Sequence, residues 1–375
     1  MQVQLPDFVL KIFDKFEKAN FEIYLVGGAV RDLKMKKAVD DWDFTTNATP
    51  EEILKIFPDG FYDNAFGTVG ISHESSPHPY EITTFRHEIG YTDKRRPDKV
   101  VWGKTLEEDL KRRDFTINAM ALKRKGKEYE LIDPYDGQKD LEKKLIKAVG
   151  DPNERFSEDA LRMMRAVRIA AELNFKIEKK TLEAIKANAK LINKIAKERV
   201  RDELLKILAS PHPYEGIVIL REVGLSEEIL PEFEKTFGVE QKSPGRHHIY
   251  DVGTHSLLSL KNCKSEDPIV RFATLIHDIG KPQTYKKTKE GVITFYNHEM
   301  VSTKIAKRIA DRLKFSNKQT KKLLTLVRWH QFTVDEKQTD KAIRRFIKRV
   351  GKENIKDMLD LRVGDRLGGG ARETS

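Results

Sequence analysis

The chain has 375 residues, 39% of them hydrophobic and 34% charged, with a net charge of +11. That length calls for two or three domains, and the composition excludes a disordered chain. No run of 18 uncharged apolar residues is present to cross a membrane, and the one cysteine, Cys263, excludes an internal disulfide or a cysteine-built zinc site.

The N-terminal residues alternate apolar and charged side chains at helical spacing, which predicts a helix over 6–20 with Phe8, Ile12, Phe13 and Phe16 on one face. They lack the basic start, apolar run and cleavage site of a secretory signal, so a cytoplasmic protein is expected. Residues 21–26 read as a short strand running into Gly27-Gly28 and then a helix. A second strand is expected around Trp42 and Phe44. Thr49 and Pro50 open a helix as N-cap and first helical residue. Residues 66–71 and 79–85 are further strand candidates. Residues 86–105, with Gly90, Pro97 and Gly103, read as a long, mobile connection. After Asp151-Pro152 the pattern changes: from Ser157 to about Ala209 strand signals vanish and helical periodicity dominates, until Pro211 and Pro213 break the run. The remainder is again helical, with a polar break at 241–248, a turn-like segment at 282–292 and a glycine-rich end expected to fray. The expected fold class is α+β: a mixed-sheet head over 1–147, an all-α neck over 148–210 and an all-α body over 211–375.

The most informative stretch is Leu25-Val26-Gly27-Gly28-Ala29-Val30-Arg31-Asp32, followed by Asp41-Trp42-Asp43. Two glycines after a strand let the backbone approach a ligand, and the following helix offers free N–H groups to a phosphate. Residues two apart on a strand share a face, so Asp41 and Asp43 aim both carboxylates at one point. Their repulsion is relieved by a divalent cation, and hard oxygen ligands suit Mg²⁺ on a nucleotide triphosphate. Glu81, on a later strand candidate, is placed to join them for two-metal attack at phosphorus. Taken singly, a Gly-Gly pair is a turn, an Asp-x-Asp a solvated strand end and Glu81 a surface residue. The ordered combination is far more specific. An excess of Lys and Arg also attracts nucleic acid, although basic faces equally keep a protein soluble.

The order LVGGAVRD, DWDF, RRDFTINAMA (112–121), LIDPYDGQKDL (131–141) and EDALRMMRAVRIAAEL (158–173) resembles the class II tRNA nucleotidyltransferases. That family includes CCA-adding enzymes, enzymes adding only the C or A part, and bacterial poly(A) polymerases. The resemblance implies a small polymerase-β-like head, a helical neck and a helical body that holds tRNA. It implies metal ligation by Asp41 and Asp43, a triphosphate near Gly28 and Arg31, and contact of Arg113 with the incoming nucleotide. Residues 86–105 correspond to the loop that rearranges between nucleotides. The poly(A) branch usually carries a basic, aromatic-rich signature soon after the carboxylate pair. Here that region reads NAFGTVGI, which fits the tRNA branch better.

Asp159 and Arg162 are three residues apart and are expected on one helix face. A carboxylate accepts from an exocyclic amino group and a guanidinium donates to a ring nitrogen or carbonyl, so a fixed pair reads C or A. In the family this element serves as a protein template. Arg165 and Arg168 continue the stripe and are expected to face phosphates. Without the head motifs upstream, the same pattern reads as a surface salt-bridge network.

The second half carries His255, then His277-Asp278 in LIHDIGKP, then Asp365, an order similar to HD-domain phosphohydrolases. Histidine and aspartate are common metal ligands. His298 and His330 resemble the versions that hold two metals, either Mg²⁺ or a divalent transition metal. In the nearest bacterial relatives such a domain is associated with hydrolysis of phosphate esters, and Lys281 is a candidate phosphate contact. His73, His78, His87, His212, His247 and His248 read as ordinary histidines, and Cys263 as a buried thiol.

The expected activity is therefore addition of CCA, or part of it, to tRNA from CTP and ATP, with Mg²⁺ in the head and no DNA or membrane partner. The rivals are an HD phosphohydrolase with an RNA-binding head, a poly(A) polymerase, and an inert RNA-binding protein.

Overall fold

The computed structural model describes residues 4–63, 67–89, 99–103, 105–241, 250–332 and 339–370. Gly90 and Pro97, the polar break over 242–249 with His247 and His248, and the last five residues lie outside the described residues. Two compact units are formed: Met1–Arg162 with Phe175–Ile185, and Met163–Asn174 with Lys186–Ser375.

The first unit opens with α1 (Asp7–Lys18), whose Phe8, Val9, Ile12, Phe13 and Phe16 recur every three or four residues and are all buried. Burial of one such phenylalanine contributes about 2–3 kcal/mol. Then follow β1 (Ile23–Val26), α2 (Gly28–Lys34), β2 (Asp43–Thr46) and α3 (Pro50–Ile56). The start of α3 is fixed by a reciprocal capping box between Thr49 and Glu52 and by Pro50 in the first turn. Next come β3 (Phe61–Asp63), β4 (Thr68–Ile71), β5 (Tyr80–Thr84), β6 (Arg86–Ile89), β7 (Lys99–Trp102), α4 (Leu106–Lys111), β8 (Ala121–Lys125) and β9 (Glu128–Ile132). Seven strands form one mixed sheet in the order β3-β4-β5-β2-β1-β8-β9. β2 and β5 run parallel, and the other neighbours are antiparallel.

The register sorts the side chains onto two faces. One face carries Leu25, Phe44 and Ile82, which are fully or almost fully buried. α1 and α3 cover it: Phe13 packs on Phe44 at 5.7 Å and Phe8 on Tyr80 at 4.7 Å between ring centroids. On the other face Tyr24, Val26 and Ala121 pack under Phe85 and under Leu106 and Leu110 of α4. Further along that same face the register places Asp43, Glu81 and Gly70 side by side on β2, β5 and β4. Asp43 is half-buried and Glu81 exposed, so the carboxylate end of this face meets solvent.

Residues 86–105 are not one long connection. β6 and β7 pair antiparallel, Arg86 opposite Trp102, because the β-branched run Val100-Val101 and Ile89 favour extended backbone. The unit ends with α5 (Gly137–Glu142), β10 (Leu145–Ile146), α6 (Pro152–Glu158), the start of α7 (Leu161–Leu173), β11 (Lys176–Ile177) and α8 (Lys179–Asn188), whose last residues pass to the second unit. The expectation of no strand after Ser157 fails at β11. Asn174 takes a left-handed φ of 56°, which stops α7 and turns the chain into a parallel pairing with β10.

The second unit is built from α9 (Lys197–Ala209), α10 (Pro213–Glu222), α11 (Leu225–Ile229), α12 (Pro231–Glu234), α13 (Val252–Asn262), α14 (Pro268–Ile276), α15 (Lys281–Thr284), α16 (His298–Arg312), α17 (Asn317–Trp329), α18 (Asp340–Val350) and α19 (Ile355–Gly368). It is not wholly helical: β12 (Lys286–Lys287) and β13 (Ile293–Thr294) form a small antiparallel pair before α16. Glycines set its closest approaches. A Cβ on Gly364 would lie 2.7 Å from the Ser259 carbonyl, and one on Gly368 2.5 Å from the Ser259 nitrogen, so α19 lies against α13. Gly280 meets His298 and Ser302 of α16 in the same way. No helix among the described residues is long and apolar enough to cross a membrane.

Candidate functional site

In the first unit the turn after β1 is built on Gly27, with φ of 71°. A Cβ there would stand 3.1 Å from the Arg113 guanidinium and 3.5 Å from Asp43 Oδ2, so this turn lies directly against both side chains. Arg113 is steered by Asp109 Oδ2 at 3.3 Å, and the same fully buried carboxylate accepts from Arg112 at 2.6 Å. Arg31 donates twice to Asp32, at 2.8 and 3.0 Å, and once to Asn118 Oδ1 at 3.0 Å. Its guanidinium also lies 3.5 Å from where a Gly28 Cβ would stand. Gly28, Arg31, Arg113 and Asp43 are thus gathered at one end of the sheet.

Asp41 precedes β2 and is exposed. The Trp42 carbonyl accepts the Glu81 N–H at 3.1 Å, so pairing extends through Trp42 and leaves Asp41 on the side of Asp43. Glu81 stands opposite Asp43 in register, with about 4.8 Å between the strands. Among the described residues these three carboxylates do not close into a tight ligand group; the two groups that do are both in the second unit.

Asp159 and Arg162 do not share a helix face. α6 ends at Glu158, and Asp159 takes φ −137° and ψ 104°. Its carboxylate instead caps α7, accepting the Leu161 N–H at 3.0 Å. Arg162 is buried and held by Glu158 at 2.5 Å and by the carbonyls of Arg155 and Arg112 at 3.1 and 3.0 Å. The i,i+4 spacing of Glu158 and Arg162 was the sequence signal for this partner, as the spacing of Asp109 to Arg112 and Arg113 was for theirs, and Asn118 had none. In the second unit Arg168 has acidic partners, Glu203 at 3.0 Å and Glu172 at 3.7 Å, and Arg165 is half-buried on the same helix.

The second unit brings together all six of His255, His277, Asp278, His298, His330 and Asp365. Two groups are formed, His255, His277 and Asp365, and Asp278, His298 and His330, each with ligand atoms within 4.8 Å of one another. His255 Nε2 lies 3.1 Å from Asp365 Oδ1 and 3.3 Å from His277 Nε2. His298 Nε2 lies 3.1 Å from Asp278 Oδ1 and 3.3 Å from His330 Nε2. Asp278 joins the groups, because its other oxygen, Oδ2, is 3.2 Å from His277. Nδ1 of His277, His298 and His330 faces the carbonyls of Thr274, Phe295 and Val327 at 2.7, 2.9 and 2.7 Å. Donation there leaves Nε2 as the ligating nitrogen, the orientation a metal ligand needs. Lys281 reaches Asp278 Oδ2 at 2.6 Å and Gln241 at 2.6 Å, and Arg362 reaches Asp365 at 2.6 Å. Gln241 carried no signal in the sequence, and Arg362 only its i,i+3 spacing to Asp365.

Electrostatics match the geometry. Burial opposes ionisation of Asp278, but His277 and Lys281 outweigh it and hold its pKa well below the ordinary value. Burial likewise opposes a charged His277, but Asp278 and Asp365 raise its pKa to about 10. His330 is lowered by burial. Four imidazoles and two carboxylates are a donor set suited to divalent metal, which competes with the proton that the raised pKa keeps on His277.

The remaining histidines take ordinary roles where described: His73 stacks on Phe8 at 3.9 Å, and His212 precedes α10. Cys263 is buried, and burial pushes its thiol pKa up.

Residues 23–147 match the poly A polymerase head domain, 174–237 the probable RNA- and SrmB-binding site of polymerase A, and 246–367 the HD domain. A CCA-adding enzyme of Limosilactobacillus reuteri is 51% identical over 216 residues, 57% of this chain and 52% of its own length. One from Lactobacillus helveticus is 46% identical over 234 residues, 61% of this chain and 57% of its own. The chain thus spans little more than half the length of these curated relatives. The crystal structure of the Bacillus stearothermophilus CCA-adding enzyme in complex with CTP has a TM-score of 0.73 at 27% identity, covering 98% of this chain and 80% of that one. A tRNA nucleotidyltransferase complexed with a primer tRNA and an incoming ATP analogue shares the fold, with a TM-score of 0.65 at 21% identity and 94% of each chain covered. Head, RNA-binding and HD modules therefore follow one another in the order that the sequence motifs imply.

Proposed function

We propose that this chain, which carries the head, RNA-binding and HD modules of the class II tRNA nucleotidyltransferases, adds CCA or part of it to the 3′ end of tRNA. The observation that carries the reading is the convergence of Gly27, Asp43 and Arg113 at the open end of the sheet face that also bears Glu81. Residues 1–147 serve as catalytic head, 148–210 as nucleotide-selecting neck and 211–375 as body, in a protein of the cytoplasm.

Gly27 and Gly28 let the triphosphate approach the backbone, and Arg31 and Arg113 balance its charge. Asp41 and Asp43 are the magnesium ligands, with Glu81 beside them on β5. When bound, magnesium neutralises charge on the phosphates and acidifies the attacking 3′-hydroxyl. That hydroxyl attacks the α-phosphorus, one P–O bond forms as another breaks, and pyrophosphate leaves. Asp159 and Arg162 select C or A through the chain segment that their capping and carbonyl bonds fix.

The test uses tRNA lacking CCA, with CTP and ATP supplied separately and together and products resolved to single nucleotides. Addition of C, C and A is expected, and D41A and D43A should each lower incorporation by at least 100-fold, a loss of about 3 kcal/mol or more. No incorporation by the unaltered protein defeats the reading, and a long ladder with ATP alone reassigns it to poly(A) synthesis.

The six-residue cluster in the second unit favours a second activity, hydrolysis of phosphate esters, for which His255, His277 and Asp365, and Asp278, His298 and His330, would hold divalent metal that would activate water. Arg362 orients Asp365, and Lys281 is placed beside Asp278 to meet a phosphate. H277A should abolish ester hydrolysis and reduce bound metal, measured by elemental analysis, while incorporation continues.

A further inference from the structure

The sheet face that carries Asp43 and Glu81 continues to the edge strand β3, where an aromatic ring stands in solvent. Reading across the register from Asp43, the neighbours are Glu81 on β5, Gly70 on β4 and Phe61 on β3. Phe61 is 49% exposed, high for a phenylalanine. Its ring does not point away from the sheet. A Cβ built on Gly70 would lie 2.7 Å from Cε2 and 2.9 Å from Cε1 of that ring, so the ring lies across the space a side chain at 70 would occupy. Any residue but glycine there would displace it. The ring therefore rests over β4, two strand spacings or about 10 Å from Asp43, with Glu81 between.

The phosphate-binding elements lie in the opposite direction. Gly27, Gly28 and Arg113 gather beside β1, on the far side of β2 from β5. In-line displacement puts the leaving pyrophosphate and the attacking hydroxyl on opposite sides of the reacting phosphorus. A triphosphate over the β1 end therefore brings the RNA 3′ end in over β5, β4 and β3. The polar group next to the ring is also in place: the Thr68 and Thr83 hydroxyls bond at 2.9 Å one step further along the same face.

We propose that Phe61, seated over Gly70, is a stacking platform for an unpaired base at the 3′ end of the RNA primer. This rests on the head reading given above. Phe61 is a positioning residue: it touches a base and carries no part of the proton or phosphoryl transfer. Base–aromatic stacking tolerates any base, which suits a site that must accept every tRNA and a terminus that changes as it grows.

The test combines kinetics with a binding signal that needs no chemistry. F61A and F61L should raise KM for tRNA lacking CCA by roughly 5- to 100-fold, the loss of one base stack, with KM for CTP and kcat within about twofold. F61W should behave as the unaltered protein, since it restores a π face. G70A should match F61A by pushing the ring aside. With 2-aminopurine as the last base of the tRNA, binding should quench its emission in the unaltered protein and F61W but not in F61A. An F61L protein with unchanged KM for tRNA and unchanged quenching overturns the proposal, as does an equal loss for tRNA and CTP in all variants. Failure of the head reading looks different: the unaltered protein then incorporates nothing, while quenching still reports whether Phe61 holds a base.

Discussion

Arg162 shows how much a single residue position decides. Motif spacing marks it as a base reader, yet its guanidinium is occupied by Glu158 and by two backbone carbonyls. A guanidinium so constrained is fixed in place. The constraint is also a stability contribution. R162K keeps the charge but cannot span Glu158 and both carbonyls, so urea titration should show a loss of about 2 kcal/mol. Unchanged stability in R162K would show that these bonds contribute nothing. Of the histidine–aspartate cluster only His277 and Asp278 are adjacent in sequence; His255, His298, His330 and Asp365 were legible from their order along the chain. Gln241 was not, because it meets Lys281 across 40 residues, and Arg362 had only a helical i,i+3 spacing to Asp365 outside any motif. Asp159 was misread because i,i+3 reasoning presupposes an unbroken helix, while its extended backbone starts a new one.

At the scale of elements, the amphipathic helix α1 and the capped helix α3 were plain in the sequence, since period and cap are local signals. The β6–β7 pair and the two-residue β11 were hidden for the opposite reason: their partners are distant and the strands too short to show a period. Caps also make the body sensitive to acid. Asp251 caps α13 and Asp267 caps α14. Burial alone would raise both pKa values. The N–H groups of Thr254 and Gly238 hold Asp251 down, and Lys322 with the Ile269 N–H holds Asp267 down. A depressed carboxylate stabilises the fold above its unfolded pKa, near 3.8, and that stability is lost as pH falls through the lower folded value. D251N and D267N still cap at neutral pH. Circular dichroism should therefore show body stability changing less between pH 5 and pH 2 in the double variant, and an identical acid transition would refute the assignment.

At the scale of the whole molecule, the route of the chain sets limits that no single domain reveals. Residues 175–185 belong to the first unit although 163–174 belong to the second. β11 extends β10, and the Thr181 hydroxyl accepts the Ala148 N–H at 3.1 Å. A fragment ending at 162 therefore lacks a strand, the Thr181 cap and the buried Ile185. It should melt several degrees below a fragment ending at 188, each lost kilocalorie lowering the midpoint by about 3 °C at this size. Equal melting would mean the returning segment is dispensable.

The same route has a consequence during synthesis. A head that ended at residue 162 would be free to fold as soon as it left the ribosome. Here its last strand and helix are translated only after a segment that belongs to the other unit. The nascent chain leaves β10 without its partner strand while that foreign helix passes, so slow codons or a chaperone would matter most between residues 163 and 185.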